Sequence, residues 1–474
     1  MTKINFLWKP YSNPKLQFSW HLMQLGLLIF PLIPSIGALG FIIAVVATYR
    51  VQYRKIINRP LNWGFTLLSL LLIVTALLAD NKIAALLGLF NFVPFFFIFA
   101  VFSALIQTKI QLRQLSWILV IGSIPVVIIG MGHMYLGWSS SLFWETILGW
   151  ELKQGINPVN RMGSVMMNSN LLAAYLILVF TLGLGLWIEN WQKINQIKLK
   201  VNKTQSTIPS IPSLPIPFIL LTLIIIGDFT ALVLTHSRNG WGNAIFVCIA
   251  YAIYQGWYKR IAALTAFATS VLMAARAPLP ISQWFRSIIP QFFWIRLHNQ
   301  VYSGVPEVQH RNSLREFAWS LTVQRPWNGW GLRNFSLIFE AQTKYWMGHP
   351  HNLFLMLSAE TGLPATILFF GLLGWLFVAG VRLMQNSKFV YSNEDKLLLL
   401  SYLLAFAIWI IFNTVDVTVF DFRLNTLFWI ILAAVCGVIY NYEPQDKKQQ
   451  SLLSGCFIDE SYLLGHTQLK QENK

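Results

Sequence analysis

The sequence predicts an all-α polytopic membrane protein with about twelve transmembrane helices and a large external loop between spans nine and ten. Composition carries this prediction, since 55% of the 474 residues are hydrophobic and only 11% are charged. Apolar runs long enough to cross a bilayer as helices, about eighteen residues or more, recur along the whole chain. The net charge of +17 is spread between these runs instead of lying in one soluble domain, so it does not indicate nucleic-acid binding.

The predicted spans follow the apolar runs in order, and polar, charged or proline-containing segments bound each of them. We predict them at 20–34, 36–49, 61–79, 84–107, 114–134, 165–188, 216–235, 240–257, 260–276, 353–383, 396–414 and 424–441. The first pair has an alternative, a single long helix broken near Pro31 and Pro34. A hairpin at Pro34 and Ser35 is preferred, because it puts the basic segment 50–59 on the same side as the lysine-bearing N-terminus.

This topology divides the chain into five segments. They are a cytoplasmic N-terminus at 1–19, spans one to nine within 20–276, an external loop with interfacial helices at 277–350, spans ten to twelve within 351–441, and a cytoplasmic tail at 442–474. Ten of the thirteen cationic side chains on the external side are arginines. Because guanidinium binds phosphate groups through two parallel hydrogen bonds, this bias indicates recognition of a phosphate-type anion on that side.

The stretch from Lys344 to Ala365, KYWMGHPHNLFLMLSAETGLPA, holds the main candidates for chemistry. Two histidines, His349 and His351, flank Pro350 just before an apolar helix, and Asn352 follows them. Proline suits the first turn of a helix, so we expect His351 at a helix start, where the macrodipole opposes positive charge. A neutral imidazole at a membrane–water boundary is a competent general base, although a histidine near a helix end is more commonly a structural group.

Three further stretches lie at the external ends of predicted spans. They are RMGSVMMNSNLLAAY at 161–175, THSRNGW at 235–241 and RNSLREFAWSLTVQRPWNGWGLRNF at 311–335. Paired asparagines at a helix start, as in the first stretch, cap the helix or bind a polar head group, and capping is the commoner role. Asp228, two turns before Arg238, is an acid within a predicted span and a candidate ion-pair partner of that arginine.

In this order, the four stretches resemble the signature elements of the O-antigen ligase and O-antigen polymerase family of membrane glycosyltransferases, over roughly residues 160–380. The family pattern of H-N, nine residues and G-x-x-G is similar to His351-Asn352 followed by Gly362, with Ala365 in place of the last glycine. The other three stretches resemble the patterns R-x-G-T/S-x-x-N-x-N-x-x-A, S-R-G/N-x-W, and an arginine fifteen residues before P-x-x-G-x-G.

The resemblance implies roles for particular residues. It implies catalytic roles for His351, Arg238 and Arg311, and substrate-binding roles for Arg161, Asn168, Asn170, Arg315, His349 and Asn352. His351 would orient or deprotonate an acceptor hydroxyl, while Arg238 and Arg311 would hold a lipid-linked diphosphate. Arg311 fits the spacing to P-x-x-G-x-G and is the first choice, whereas Arg315, one helical turn later, is the second.

The resemblance also implies the reaction. The donor would be a glycan linked to undecaprenyl diphosphate, and the acceptor a lipid A–core sugar for a ligase or a second glycan chain for a polymerase. The protein would lie in the bacterial inner membrane with its site on the periplasmic face. We expect no cofactor and no metal, because no further ligand stands at a suitable spacing from the two histidines. A small-anion transporter, for example for bicarbonate, and an inactive scaffold are the alternatives from other classes.

Overall fold

The computed structural model describes residues 11, 13–150, 152–153, 161–203, 216–297, 310–385 and 392–442. Within these ranges the chain forms helices and turns and no strand. The α-helices are α1 Pro14–Ile29, α2 Pro34–Ile57, α3 Pro60–Leu77, α4 Lys82–Leu89, α5 Val93–Leu105, α6 Lys109–Leu136, α7 Leu142–Leu148, α8 Ser169–Lys203, α9 Ile216–Leu234, α10 Arg238–Tyr254, α11 Tyr258–Arg276, α12 Ile281–Ile288, α13 Gln291–Trp294, α14 Arg311–Gln324, α15 Asn334–Thr343, α16 Leu353–Gln385, α17 Asn393–Asn413 and α18 Phe422–Tyr442. The predicted tail beyond Tyr442 and the first ten residues of the predicted N-terminal segment lie outside the described residues.

Nine of the described helical segments are long and apolar enough to cross a membrane, with α4 and α5 together forming one of them. The chain is therefore a polytopic α-helical membrane protein, as predicted. The other three predicted spans coincide with helices that are shorter or more polar: α1 has 16 residues, α10 has 17, and α11 carries two cations in its first turn. The first helix begins before the predicted residue 20, because Asn13 caps it and Pro14 occupies its first position.

The first two helices are separate and form the hairpin that the sequence favoured. Their backbones approach closely at glycines, since a Cβ on Gly26 would lie 3.0 Å from the carbonyl oxygen of Gly37. Farther along the hairpin, a Cβ on Gly40 would lie 3.3 Å from the carbonyl oxygen of Leu22. Pro34 is the first residue of α2, where its missing N–H costs no hydrogen bond.

The last spanning helix, α18, is the centre of the bundle. In α18, 94% of an 18-residue segment is buried inside the protein, compared with 28% in α2 and 33% in α9. Trp429 of α18 packs edge-on against Phe65, Phe96 and Phe99, which come from α3 and α5. The outer helices instead expose apolar side chains such as Leu70, which is the pattern of a surface in contact with lipid tails.

At one end of the bundle, α14, α15 and the first turns of α16 form a small cap with its own hydrophobic core. This core consists of Leu314, Ala318, Leu321, Phe335, Phe339 and Ala359. The P-x-x-G-x-G segment joins α14 to α15 and lies against a kink in α16 at Gly362. The backbone N–H groups of Trp330 and Gly331 donate to the carbonyl oxygens of Ala359 and Glu360 at 2.9 Å and 2.7 Å.

Glycine is required at this contact. Gly329 and Gly362 have φ of 62° and 76°, a region that other residues rarely adopt. A Cβ on Gly329 would overlap the backbone of Glu360, and one on Gly362 would overlap that of Trp327. Glu360 is buried, and its Oε1 accepts the N–H of Phe335 at 3.2 Å. The motif therefore fixes the cap, with the arginines of α14, against the start of α16.

Candidate active site

The end of α17 and the loop that joins it to α18 bring several of the predicted site residues together. Near the start of this loop, Asn239 of α10 donates from Nδ2 to the carbonyl oxygen of Phe412 at 2.9 Å. The carbonyl oxygen of Thr414 accepts hydrogen bonds from Asn352 Nδ2 at 3.1 Å and from Arg315 Nη2 at 3.2 Å. The starts of α10, α14 and α16 therefore converge on one short segment of backbone.

Asp416 in this loop is the central acceptor. Its Oδ1 lies 3.2 Å from Nδ1 of His351 and 3.7 Å from Nε2 of His349. The same oxygen accepts the backbone N–H of Val417 at 3.0 Å, and Oδ2 accepts from Asn170 Nδ2 at 3.0 Å. The carboxylate is buried, so these contacts replace the water that would otherwise solvate it.

The hydrogen bonds assign the protons on both imidazole rings. The backbone N–H of His351 donates to Nδ1 of His349 at 3.2 Å, so the proton of neutral His349 is on Nε2, which faces Asp416. An ionised carboxylate only accepts, so His351 carries its proton on Nδ1 and donates it to Asp416. The lone pair of His351 is then on Nε2. A histidine in this tautomer, oriented by a carboxylate, can accept a proton from a substrate.

Asn352 and His351 sit differently from the prediction. The helix begins at Leu353, and Asn352 caps it by accepting the N–H of Leu355 on its side-chain oxygen at 2.9 Å. His351 lies two residues before the first helical residue, with φ of 52°, a conformation that is rare for residues other than glycine. This backbone turn directs the His351 N–H at the His349 ring.

Burial and nearby charges set the titration of two of these groups. The pKa of His349 is lowered to about 4, chiefly by burial; Asp416 acts to raise it, and His351 and Arg311 act to lower it. Burial alone would raise the pKa of Asp416, but hydrogen bonds and the nearby histidines hold it below its ordinary value. At neutral pH His349 is therefore uncharged and Asp416 is ionised.

The asparagines and the arginine before α8 extend the same network. Asn168 caps α8, because its Oδ1 accepts the N–H of Asn170 at 2.7 Å. Asn170 contacts Asp416, and its own Oδ1 accepts from Arg161 Nη2 at 2.9 Å. Arg161 also donates from Nε to the carbonyl oxygen of Thr235 at 2.9 Å. Arg161 thus holds Asn170 in place, and Asn170 holds Asp416 through Oδ2 of the carboxylate.

The two arginines with predicted catalytic roles are both first residues of helices. Arg238 begins α10, directly before Asn239, which donates to Phe412 in the last turn of α17. Arg311 begins α14, and its charge acts on His349. Arg315 uses one terminal nitrogen on the carbonyl oxygen of Thr414. The N-termini of α10 and α14, which carry partial positive charge, thus lie by the segment Phe412–Thr414, and each helix begins with an arginine.

The predicted ion pair between Asp228 and Arg238 is absent from the part of the chain that the structure describes. Asp228 is buried, and neither of its carboxylate oxygens forms an ion pair with a residue that the structure describes. The reason is the chain reversal between α9 and α10: Asp228 lies within α9, about 9 Å along the helix axis from its last residue Leu234. Arg238 starts the next helix, where Ser237 provides the cap.

His349, His351 and Asp416 also form a group whose potential metal-ligating atoms lie within 4.8 Å of one another. Asp416 is a third donor that the sequence spacing did not reveal. A metal on Nε2 of His349 would need the lone pair there, but the hydrogen bond from His351 N–H to Nδ1 requires the proton on Nε2. The donor set therefore fits a hydrogen-bonded triad better than a resident metal.

The profile of the O-antigen ligase family matches residues 219–370, a segment that contains Arg238, Arg311 and His351. This match supports membership of the chain in the O-antigen ligase and polymerase family. Proteins of this family are membrane-embedded, glycosyltransferase-type enzymes that act on lipid-linked glycans. No curated protein matches the chain.

The segment matched by the O-antigen ligase profile does not contain the whole site. Asn170 lies before it, and Asp416 lies after it. Sequence reasoning missed Asp416, which is separated from His351 by 65 positions. The available signal was its position: it stands with Asp421 in a short polar segment between two apolar runs, where an acid is costly unless it has a role.

Proposed function

We propose that this O-antigen ligase-family protein transfers a glycan from undecaprenyl diphosphate to a hydroxyl group of an acceptor sugar, in the synthesis of lipopolysaccharide or another surface polysaccharide. The contact between His351 Nδ1 and Asp416 Oδ1 at 3.2 Å carries the proposal, because it leaves Nε2 of His351 as a base beside two arginine-bearing helix starts. A lipid A–core acceptor, as in a ligase, is the first choice. A second glycan chain, as in a polymerase, uses the same residues.

In the proposed step the acceptor hydroxyl gives its proton to Nε2 of His351 while its oxygen attacks the anomeric carbon of the donor. The bond from that carbon to the diphosphate oxygen breaks, and undecaprenyl diphosphate leaves with the electron pair. Asp416 stabilises the imidazolium that forms, which then returns its proton to solvent. A positioned general base of this kind contributes about 10²–10⁴ to the rate.

Arg238 and Arg311 hold the diphosphate in this proposal. Each guanidinium offers parallel donors to one phosphate, and each stands at a helix N-terminus that adds partial positive charge. Their charges stabilise the negative charge that develops on the leaving group. Arg315 and Asn352 bind the backbone of Thr414 and position the loop that carries Asp416.

The proposed setting is the bacterial inner membrane, with the site on the periplasmic face and both termini in the cytoplasm. Single cysteines at exposed positions between α11 and α16 should react with a membrane-impermeant reagent from outside. Cysteines between α8 and α9 should react only after the membrane is opened. Labelling of both regions from the same side would reject this topology.

A lysine series tests the diphosphate clamp. Arg238→Lys and Arg311→Lys keep the charge but lose a parallel donor, and a lost charge-assisted hydrogen bond of about 1.5–3 kcal/mol gives about a tenfold to hundredfold slower transfer. Arg325→Lys is the matched control, because Arg325 pairs with Asp80 at 2.9 Å and 3.3 Å instead of the site. Equal activity of all three variants and the parent would show that these arginines only set the local potential.

A further inference from the structure

A cleft separate from the site described above lies between the end of α11 and α12. Its polar lining consists of Arg276, Ser282 and Arg286, and its outer lip includes Pro278 and Leu279. None of its lining residues is acidic. Two cationic side chains in one cleft, with no acidic residue among the described residues that line it, favour an anion there.

The two guanidinium groups keep donors available. Arg286 is held in place, because its Nε donates to the carbonyl oxygen of Ala274 at 2.8 Å and its guanidinium lies 4.5 Å from the ring centroid of Trp294. Its terminal nitrogens make no hydrogen bond with a residue that the structure describes. Arg276 is exposed at the last position of α11 and makes no ion pair or hydrogen bond with any described residue.

The helix beside the cleft presents an apolar face outward. Ile281, Trp284 and Ile288, at positions i, i+3 and i+7 of α12, are 45%, 61% and 59% exposed. The buried side of α12 packs on α11 through Phe285 and through Ile289, the residue directly after the helix. A short helix with one buried side, an outward apolar face and a neighbouring tryptophan is typical of a segment in the membrane interface.

We propose that this cleft binds the phosphate of an anionic phospholipid of the phosphatidylglycerol type, from the membrane leaflet whose interface contains α12. Arg276 and Arg286 donate to the phosphate oxygens, and the acyl chains lie along Leu279 and the outward face of α12. Apolar exposure beside the arginines is what identifies a membrane lipid rather than free phosphate, because a soluble anion needs no apolar lip. The lipid site shares no residue with the proposed glycan-transfer site.

The lipid site has a structural link to the neighbouring turn. Phe292 lies in α13, the helix after α12, and packs edge-on against His236 with 4.4 Å between the ring centroids. The ring centroid of Phe292 is 5.9 Å from that of Trp241. These two residues flank Arg238 in sequence. A lipid held at α12 therefore fixes the depth in the membrane of the element that packs on the Arg238 turn.

A photoactivatable phosphatidylglycerol tests the site in the purified full-length protein in nanodiscs. We expect an adduct in the peptide that contains α12, suppressed by excess phosphatidylglycerol but neither by phosphatidylcholine nor by soluble glycerol phosphate. Arg276→Ala should lower labelling at least about tenfold, as loss of a charge-assisted hydrogen bond predicts. Arg260→Ala removes the same charge at the other end of α11 and should label like the parent.

Three outcomes would overturn the proposal. Unchanged labelling of Arg276→Ala would show that the cleft does not bind phosphate. Equal competition by phosphatidylcholine would show apolar contact without headgroup recognition. Equal competition by glycerol phosphate would show a site for a soluble anion. Arg276 is exposed, so Arg276→Ala is expected to fold, which circular dichroism and a thermal melt check. A similar loss of labelling in Arg286→Ala supports the same assignment.

Discussion

Replacing Asp416 with asparagine tests the acid–histidine pair at constant size. The variant removes the charge that His351 and Asn170 contact at 3.2 Å and 3.0 Å. If the amide nitrogen faces His351, Nδ1 must accept instead of donate, so the ring proton moves to Nε2 and blocks the base. Loss of the charge-assisted hydrogen bond costs about 1.5–3 kcal/mol, and a wrong tautomer costs up to about 10⁴ in rate. We therefore expect kcat to fall by about 10²–10⁴.

The assay is glycan transfer by purified protein in proteoliposomes, with donor and acceptor each varied. The KM for the donor should stay within about threefold, because the arginines bind it and they are unchanged. Asp421→Asn is the matched control: Asp421 accepts the N–H of Leu424 at 2.8 Å in the same loop, and asparagine can keep that cap. If Asp416→Asn works as fast as Asp421→Asn, Asp416 does not orient the base.

Three further predictions concern the cap, the titration of one histidine and the metal. Gly329→Ala should destabilise the fold by about 2 kcal/mol or more, through overlap and a positive φ, whereas Gly371→Ala, with no atom within 4 Å, should melt like the parent. The folded-state pKa of His349, about 4, lies below its ordinary 6.5, so thermal stability should fall as pH drops through this window and fall less in His349→Asn. Transfer should persist after treatment with a strong chelator; activity restored only by added metal would contradict the hydrogen-bonded triad.

The sequence predicted the helices well, because their cause is local. Apolar runs of membrane-spanning length need only composition, and Asn168 and the hairpin at Pro34 follow from capping and proline rules. Boundaries shifted where a cap was not anticipated, as at Asn13 and Asn352. Each of these features depends on a few consecutive residues.

The remainder of the site depends on contacts between distant segments. Asp416 meets His351 only because α16, α17 and α18 pack together, and no motif or periodicity marks it. In the sequence, the P-x-x-G-x-G motif served only to select Arg311 by its spacing. Its physical role, the close approach of Gly329 to Glu360, appears only when the cap is docked on the kinked helix. The spacing of residues in the sequence likewise did not identify Asp416 as a third potential ligand beside the two histidines.

The most direct test of the central claim is transfer by the purified protein in sealed proteoliposomes, with one undecaprenyl-diphosphate-linked oligosaccharide, one acceptor and a chelator present. Without any ion gradient, the parent should form glycosylated acceptor and release undecaprenyl diphosphate in equal amounts. His351→Ala, inserted to the same level, should be slower by about 10²–10⁴. Accumulation of a small anion without glycan product, or full transfer by His351→Ala, would contradict the account.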